Sequence, residues 1–200
     1  MMRLSMKSLH MKDLYHFNKE TMTYELDIAI DHYQDMFNSW DAAPLKRKDI
    51  EPDLIDYLEQ AGDDIPIHEN IALVFMLPKE VRDLKREKTV TQAVKLQFRF
   101  LLSVVNKELM LNYRRMATFA IFSLIFLTIN YFLRGQELSQ FMNIFLEGLL
   151  VGGWFLMWNV FGIAILDNFQ LYRKKKIWFR YMQAELMFKD HHEQTTETIS

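Results

Sequence analysis

The stretch MATFAIFSLIFLTINYFLRGQELSQFMNIFLEGLLVGGWFLMWNVFGIAIL, residues 116–166, decides the fold. Its first part, Met116 to Leu133, is eighteen residues without an ionisable group. A polar heptapeptide, RGQELSQ, follows, and then a second apolar run from Phe141 to Leu166 whose one charged residue is Glu147. A bilayer core is spanned by roughly 20 apolar residues of helix, with about 17 as the lower limit. Backbone polar groups find no partner in hydrocarbon, so both runs must be helical, and so short a link makes them antiparallel neighbours. The expectation is a two-helix transmembrane hairpin over 116–166.

The flanks orient it. Lys107, Arg114 and Arg115 precede the first run, and Arg173, Lys174, Lys175, Lys176 and Arg180 follow the second, whereas the link carries Arg134 alone. Cationic loops stay in the cytoplasm, so both termini are expected there, in a multi-pass protein. Arg114, Arg115, Arg173, Lys174, Lys175 and Lys176 are the candidate contacts to lipid headgroups. Tyr131, Tyr172 and Trp178 stand where interfacial aromatics belong. The first residues, MMRLSMKSLHMKDLYHF, hold no continuous apolar run, so the later segments are expected to direct insertion.

The whole-chain mean hydropathy of -0.10 hides this division, because the first 115 residues are charged and mixed. A net charge of -2 gives no reason to expect nucleic acid as a partner. With no cysteine in 200 residues, disulfides, thiolate metal sites and a cysteine nucleophile are excluded.

Polar groups inside the second run are the candidate functional residues. On a helical wheel Glu147, Trp154 and Trp158 share a face, and Gly148, Gly152 and Asn159 form the stripe beside it. Gly148 and Gly152 make a GxxxG pair for close helix packing, and Asn159 can hydrogen-bond across such a contact. One reading is packing against the first span or another copy, with Glu147 at the water boundary. The other is a homo-oligomer whose Glu147 side chains ring the outer mouth of a cation pore. Both remain open from sequence.

Elsewhere the chain reads as a small α+β cytoplasmic domain over 23–78, after a flexible segment at 1–22. Thr23–Ile30 and Ile71–Pro78 are expected strands. Between them EPDLIDYLEQAG is a helix with Pro52 in its first turn and Gly62 as its stop. From Lys79, apolar residues from Val81 and Leu84 through Val90, Val94 and Phe98 to Leu109 predict a long amphipathic helix over 79–115 running into the first span. KREK at Lys85–Lys88 reads as a solvated face. A basic juxtamembrane helix is expected over 167–188, with a polar tail over 189–200; overall the protein should be mostly α.

No nucleotide-binding glycine loop, HExxH or nucleophile elbow occurs, so the chain is not expected to be an enzyme or to hold a cofactor. His191 and His192 with Asp190 and Glu193 make a poor metal site, and His32 near Asp31 and Asp35 reads as a surface residue.

Glu147-Gly148, Gly153-Trp154, Trp158 and Asp167, with NSWDAAPLKRKDIEPDLIDYLEQ and DDIPI…VFMLPKE, resemble an uncharacterised family of small bacterial two-span membrane proteins. The similarity runs from about Tyr24 to Phe179. It implies a bacterial inner-membrane protein with a cytoplasmic α+β portion, and it lends no activity. Where that family has a basic residue and a proline after the second tryptophan, Asn159-Val160 stand here. A helix leading into a span, a short outer loop and an acidic start to the second span also resemble the plan of mitochondrial calcium uniporter pore subunits, but their acidic pore motif is absent. The functional expectation is a homo-oligomeric membrane assembly, ion-conducting or membrane-permeabilising. The alternative is an anchor or adaptor recruiting a cytoplasmic protein.

Overall fold

A computed structural model describes residues 14–136 and 139–191. The protein is mostly helical, with a small four-stranded mixed sheet. It divides into two compact units, Met1–Ser103 with Lys175–Ser200, and Val104–Lys174.

In the first unit the strands are β1 (His16–Asn18), β2 (Thr23–Ala29), β3 (Asn70–Leu77) and β4 (Glu185–Asp190), in that spatial order. β1 is antiparallel to β2, while β2, β3 and β4 run parallel. Parallel neighbours need long crossovers. The one from β2 to β3 carries α1 (Pro52–Asp64); the one from β3 to β4 carries the three longer helices described below. As a central parallel strand, β3 is buried from Ile71 through Leu77, which is why its sequence is a continuous apolar run rather than an alternating one.

Pro52 opens α1 as expected, but Gly62 lies inside that helix rather than at its stop. A Cβ at Gly62 would come within 2.5 Å of the Ile177 Cγ2 methyl and 3.3 Å of the Tyr181 ring. The glycine is there for close helix approach. Arg180 fastens the same place, its guanidinium donating to the Gly62, Ile65 and Pro66 carbonyls at 2.8, 3.2 and 2.9 Å. These carbonyls at the end of α1 lack helical partners, so a cation suits them.

α2 (Leu84–Leu133) is a single 50-residue helix, entered through a short 3-10 turn at Lys79–Val81. Val90, Ala93, Val94 and Phe98 are its buried face in this unit; Leu84, expected on that stripe, is exposed. The KREK reading is corrected at Glu87, which is buried because Arg82 donates to it at 2.9 Å. Arg82 also donates to Asp190 at 2.9 Å, pinning the end of β4.

Three further expectations change. Part of the flexible segment is strand β1, paired through Phe17 and Tyr24; residues 1–13 lie outside the described part. The basic juxtamembrane helix, α4 (Asn168–Gln183), ends early, and Glu185–Asp190 pair with β3 instead. Trp178 is no interfacial aromatic: it is 1 % exposed, with Phe98 and Tyr181 rings 5.8 and 5.9 Å away. Of the polar tail, Lys189 and Asp190 belong to β4, and residues 192–200 lie outside the described part.

In the second unit, the chain turns after α2 at Gly135, whose φ of +101° is the left-handed region that favours glycine. Ser139 then caps α3 (Gln140–Gly162), accepting the Met142 N–H. A π-helical turn, Ile163–Asp167, joins α3 to α4. Both α2 and the helical run from Gln140 are long and apolar enough to cross a membrane. Only 11 % and 6 % of their most apolar stretches are buried, so neither is covered as a core helix within this chain.

Candidate functional site

The second unit holds the polar residues singled out in the spans. Two hydrogen bonds join α2 to α3: Ser123 Oγ donates to the Gly153 carbonyl and Asn130 Nδ2 to the Leu146 carbonyl, both at 2.7 Å. The donors are seven residues apart and so are the acceptors, which gives an antiparallel register with one helix face toward the other. Ser123 and Asn130 are buried. Burial without a partner would leave a hydroxyl and an amide unsatisfied among apolar side chains, so the two carbonyls answer a real cost.

Gly153 makes the bond to Ser123 attainable. A Cβ there would meet Leu127 Cγ and Cδ2 at 2.9 Å, closer than side chains pack. Gly152 is less constrained, with Phe126 Cδ2 at 3.5 Å from its built Cβ, and Gly148 would meet nothing within 4 Å. The close contact within the hairpin therefore belongs to Gly153 rather than to the Gly148–Gly152 pair. Asn159 also differs from its expected cross-helix role here, since its Nδ2 donates at 2.8 Å to the Phe155 carbonyl of its own helix. Among the described residues, Ser123, Asn130 and Gly153 are the ones that sequence reasoning missed. The signal was the seven-residue spacing of two polar side chains in an otherwise apolar run.

Glu147 is exposed, as are Gly148, Trp154 and Trp158. The register fixes its depth. Leu133, the last apolar residue of α2, comes level with Asn143, so Glu147 stands four residues, roughly 6 Å, inside the apolar band.

At the other end of this unit, Asn112 Nδ2 donates to Asn168 Oδ1 at 3.2 Å, and the Tyr113 and Tyr172 hydroxyls are hydrogen-bonded. Beside them lies a groove of about 380 Å³ lined by both signs of charge, Arg115 and Lys174 with Glu108 and Asp167. Arg114, Arg115, Arg173, Lys174 and Lys176 are exposed and Lys175 is half-buried, all near the ends of the apolar stretches. Cations so placed can meet lipid phosphates.

Elsewhere, His32 is exposed, its backbone N–H accepted by Asp35 Oδ2 at 2.7 Å. The His191 backbone donates to the Leu77 carbonyl at 3.0 Å, while His192 and Glu193 lie outside the described residues. Among the described residues no group of three His, Asp or Glu side chains could hold a metal ion. In the first unit Glu25 is buried and bonded by Asn18 and Lys189, both at 2.8 Å. Comparison with protein families, curated proteins and solved structures finds no match to this chain.

Proposed function

We propose that the chain is an inner-membrane protein of the two-span bacterial kind, both ends cytoplasmic, whose copies assemble around Glu147 to conduct cations. The observation that carries this is the state of Glu147: exposed, a turn inside the apolar band, and outside the two hydrogen bonds that join the hairpin. A carboxylate facing lipid is costly, about 3 kcal/mol at a bilayer's centre on insertion scales and less toward its surface. Copies that turn it toward a shared water-filled mouth remove that cost, and a ring of carboxylates there draws in cations. Gly148, open on the same exposed stretch, leaves room for a neighbouring helix.

The sidedness has support of two independent kinds. Cations cluster at the same end of both spans. The strands before and after the hairpin, β3 and β4, are hydrogen-bonded partners, so an even number of crossings must separate them. The test is ion flux from liposomes reconstituted with wild type or Glu147→Gln. Cation flux that falls or loses its selectivity in the variant is expected. Equal flux in both would remove Glu147 from the pathway, and none above empty liposomes, from protein shown to be inserted, would overturn conduction.

A second reading, an anchored adaptor, is favoured by β4. Among the described residues that strand is the last of the sheet, beside β3, and an edge strand is a template for an added strand. An absence of flux together with recovery of a partner that β4 edge substitutions abolish would favour it.

A further inference from the structure

The groove of about 380 Å³ in the second unit lies at the edge of the apolar band on both of its walls. Arg115 is the last residue before the apolar run that starts at Met116, and Asp167 is the first after the run that ends at Leu166. Glu108 lies seven residues before Arg115, and Lys174 seven after Asp167, roughly 10 Å further from the band by helical rise. The polar layer of a bilayer is roughly 5–7 Å deep on each side. Arg115 and Asp167 therefore stand at headgroup depth, with the other pair in the water beyond.

The walls are fastened to each other. Asn168 is buried; it accepts from Asn112 at 3.2 Å and donates its own Nδ2 to Met116 Sδ at 3.5 Å. The bonded Tyr113 and Tyr172 hydroxyls add a second tie. The π-helical turn ends at Asp167, and single turns of that kind recur at functional sites despite their poorer geometry. Among the described residues, the exposed Arg115 and Asp167 side chains have no hydrogen-bond or ion-pair partner, and they do not pair with each other. Opposite charges held on facing walls and left unpaired suit a ligand that carries both signs.

We propose that this groove binds the headgroup of a phosphatidylethanolamine lipid in the cytoplasmic leaflet. The Arg115 guanidinium takes the phosphodiester and the Asp167 carboxylate takes the primary ammonium. The proposal rests on the membrane part of the reading above and not on conduction. An anionic lipid such as phosphatidylglycerol satisfies Arg115 but sets its charge beside Asp167 with nothing to offer that carboxylate. Phosphatidylcholine carries both signs, but its trimethylated ammonium has no N–H to donate. The same phosphodiester and ammonium occur in dissolved glycerophosphoethanolamine. The lipid is favoured because Ile165 and Leu166, next to Asp167, are exposed apolar side chains that acyl chains cover and a dissolved headgroup does not.

The full chain is reconstituted in liposomes of equal parts phosphatidylethanolamine, phosphatidylcholine and phosphatidylglycerol, and insertion is checked by resistance to alkaline extraction. Gentle release into detergent and native mass spectrometry then read which lipid stays bound. Phosphatidylethanolamine should be retained about fivefold over either of the others, the effect of one well-placed charge. Asp167→Asn should abolish that preference without lowering phosphatidylglycerol retention. Arg115→Gln should lower retention of all three lipids about fivefold. Glu108→Gln and Lys174→Gln, screened by water and salt, should change retention by less than about twofold. Equal retention of the three lipids by inserted protein overturns the proposal, as does a preference that survives Asp167→Asn. A larger effect from the outer pair than from Arg115 and Asp167 would place the ligand in water and overturn the lipid site. Displacement by glycerophosphoethanolamine at equal concentration would make a dissolved phosphodiester the ligand, with the same consequence. Failure of insertion itself would sink the membrane reading and this proposal together, whereas a lost lipid preference leaves that reading standing.

Discussion

Trp178 and Trp154 both lie on helices, one in each unit, and they meet opposite fates. Trp178 is 1 % exposed among Phe98 and Tyr181, whereas Trp154 is 53 % exposed on α3. The contrast extends to whole elements. β3 buries its apolar residues from Ile71 to Leu77, while α3, also largely apolar, buries only Leu146 and Gly153. Water forces apolar groups inward in the first unit. In the second, exposed apolar side chains are what a helix shows to lipid, and internal order comes from small residues and a few hydrogen bonds.

The largest expected effect follows directly. Trp178→Ala should cost the first unit about 3–5 kcal/mol, because its pocket is closed on all sides. Trp154→Ala should leave the same unit within about 0.5 kcal/mol. Hydrogen exchange of the β3 amides in lipid nanodiscs separates the two. Equal losses from both would mean that the division into a water-ordered and a lipid-ordered unit is wrong.

A middling effect tests how the hairpin is held. Gly153→Leu should loosen α2 from α3 by about 1–3 kcal/mol, since its side chain must displace Leu127. Gly148→Leu meets open space within the hairpin and should leave the α2–α3 hydrogen bonds intact. Exchange protection of the Gly153 and Leu146 neighbourhoods reads both variants. If Gly148→Leu proves the more damaging, the helices meet through the other glycine stripe.

Much of this contrast was legible in the sequence, and the rest was hidden for identifiable reasons. The two long apolar helices announce themselves because hydrophobicity sustained over eighteen residues needs no tertiary information. β2 and β3 were legible from β-branched and apolar runs bounded by turn signals. β4 was not: QAELMF is locally compatible with a continuing helix, and its strand identity comes from pairing with β3 a hundred residues earlier. Trp178 was misplaced for the same cause, because the return of the chain to the sheet removes it from the interface. The glycine stripe showed that close packing was available, but the choice of Gly153 depends on where Leu127 falls in the antiparallel register. Glu147 was visible at once, while its depth needed that register.

The smallest expected effect concerns acid, which should reach the first unit through Glu25 while leaving the neutral α2–α3 hydrogen bonds untouched. Burial alone would raise the Glu25 carboxyl, but hydrogen bonds from Lys189 and Asn18 outweigh it, so its pKa falls below the ordinary 4.5. A carboxylate with a depressed folded pKa contributes stability above its unfolded pKa, and loses it as pH drops through the folded value. Glu25→Gln keeps the shape and removes the charge that Lys189 pairs with at 2.8 Å. With Lys189 37 % exposed, solvent screens the pair, and the variant should be less stable at pH 7 by about 1 kcal/mol. As pH falls from about 5 through the depressed pKa, the gap between wild type and Glu25→Gln should close. The Ser123 and Asn130 bonds carry no titrating group, so their exchange protection, corrected for intrinsic rates, should stay level over the same range. A gap that widens on acidification would mean that burial, not the Lys189 bond, governs Glu25.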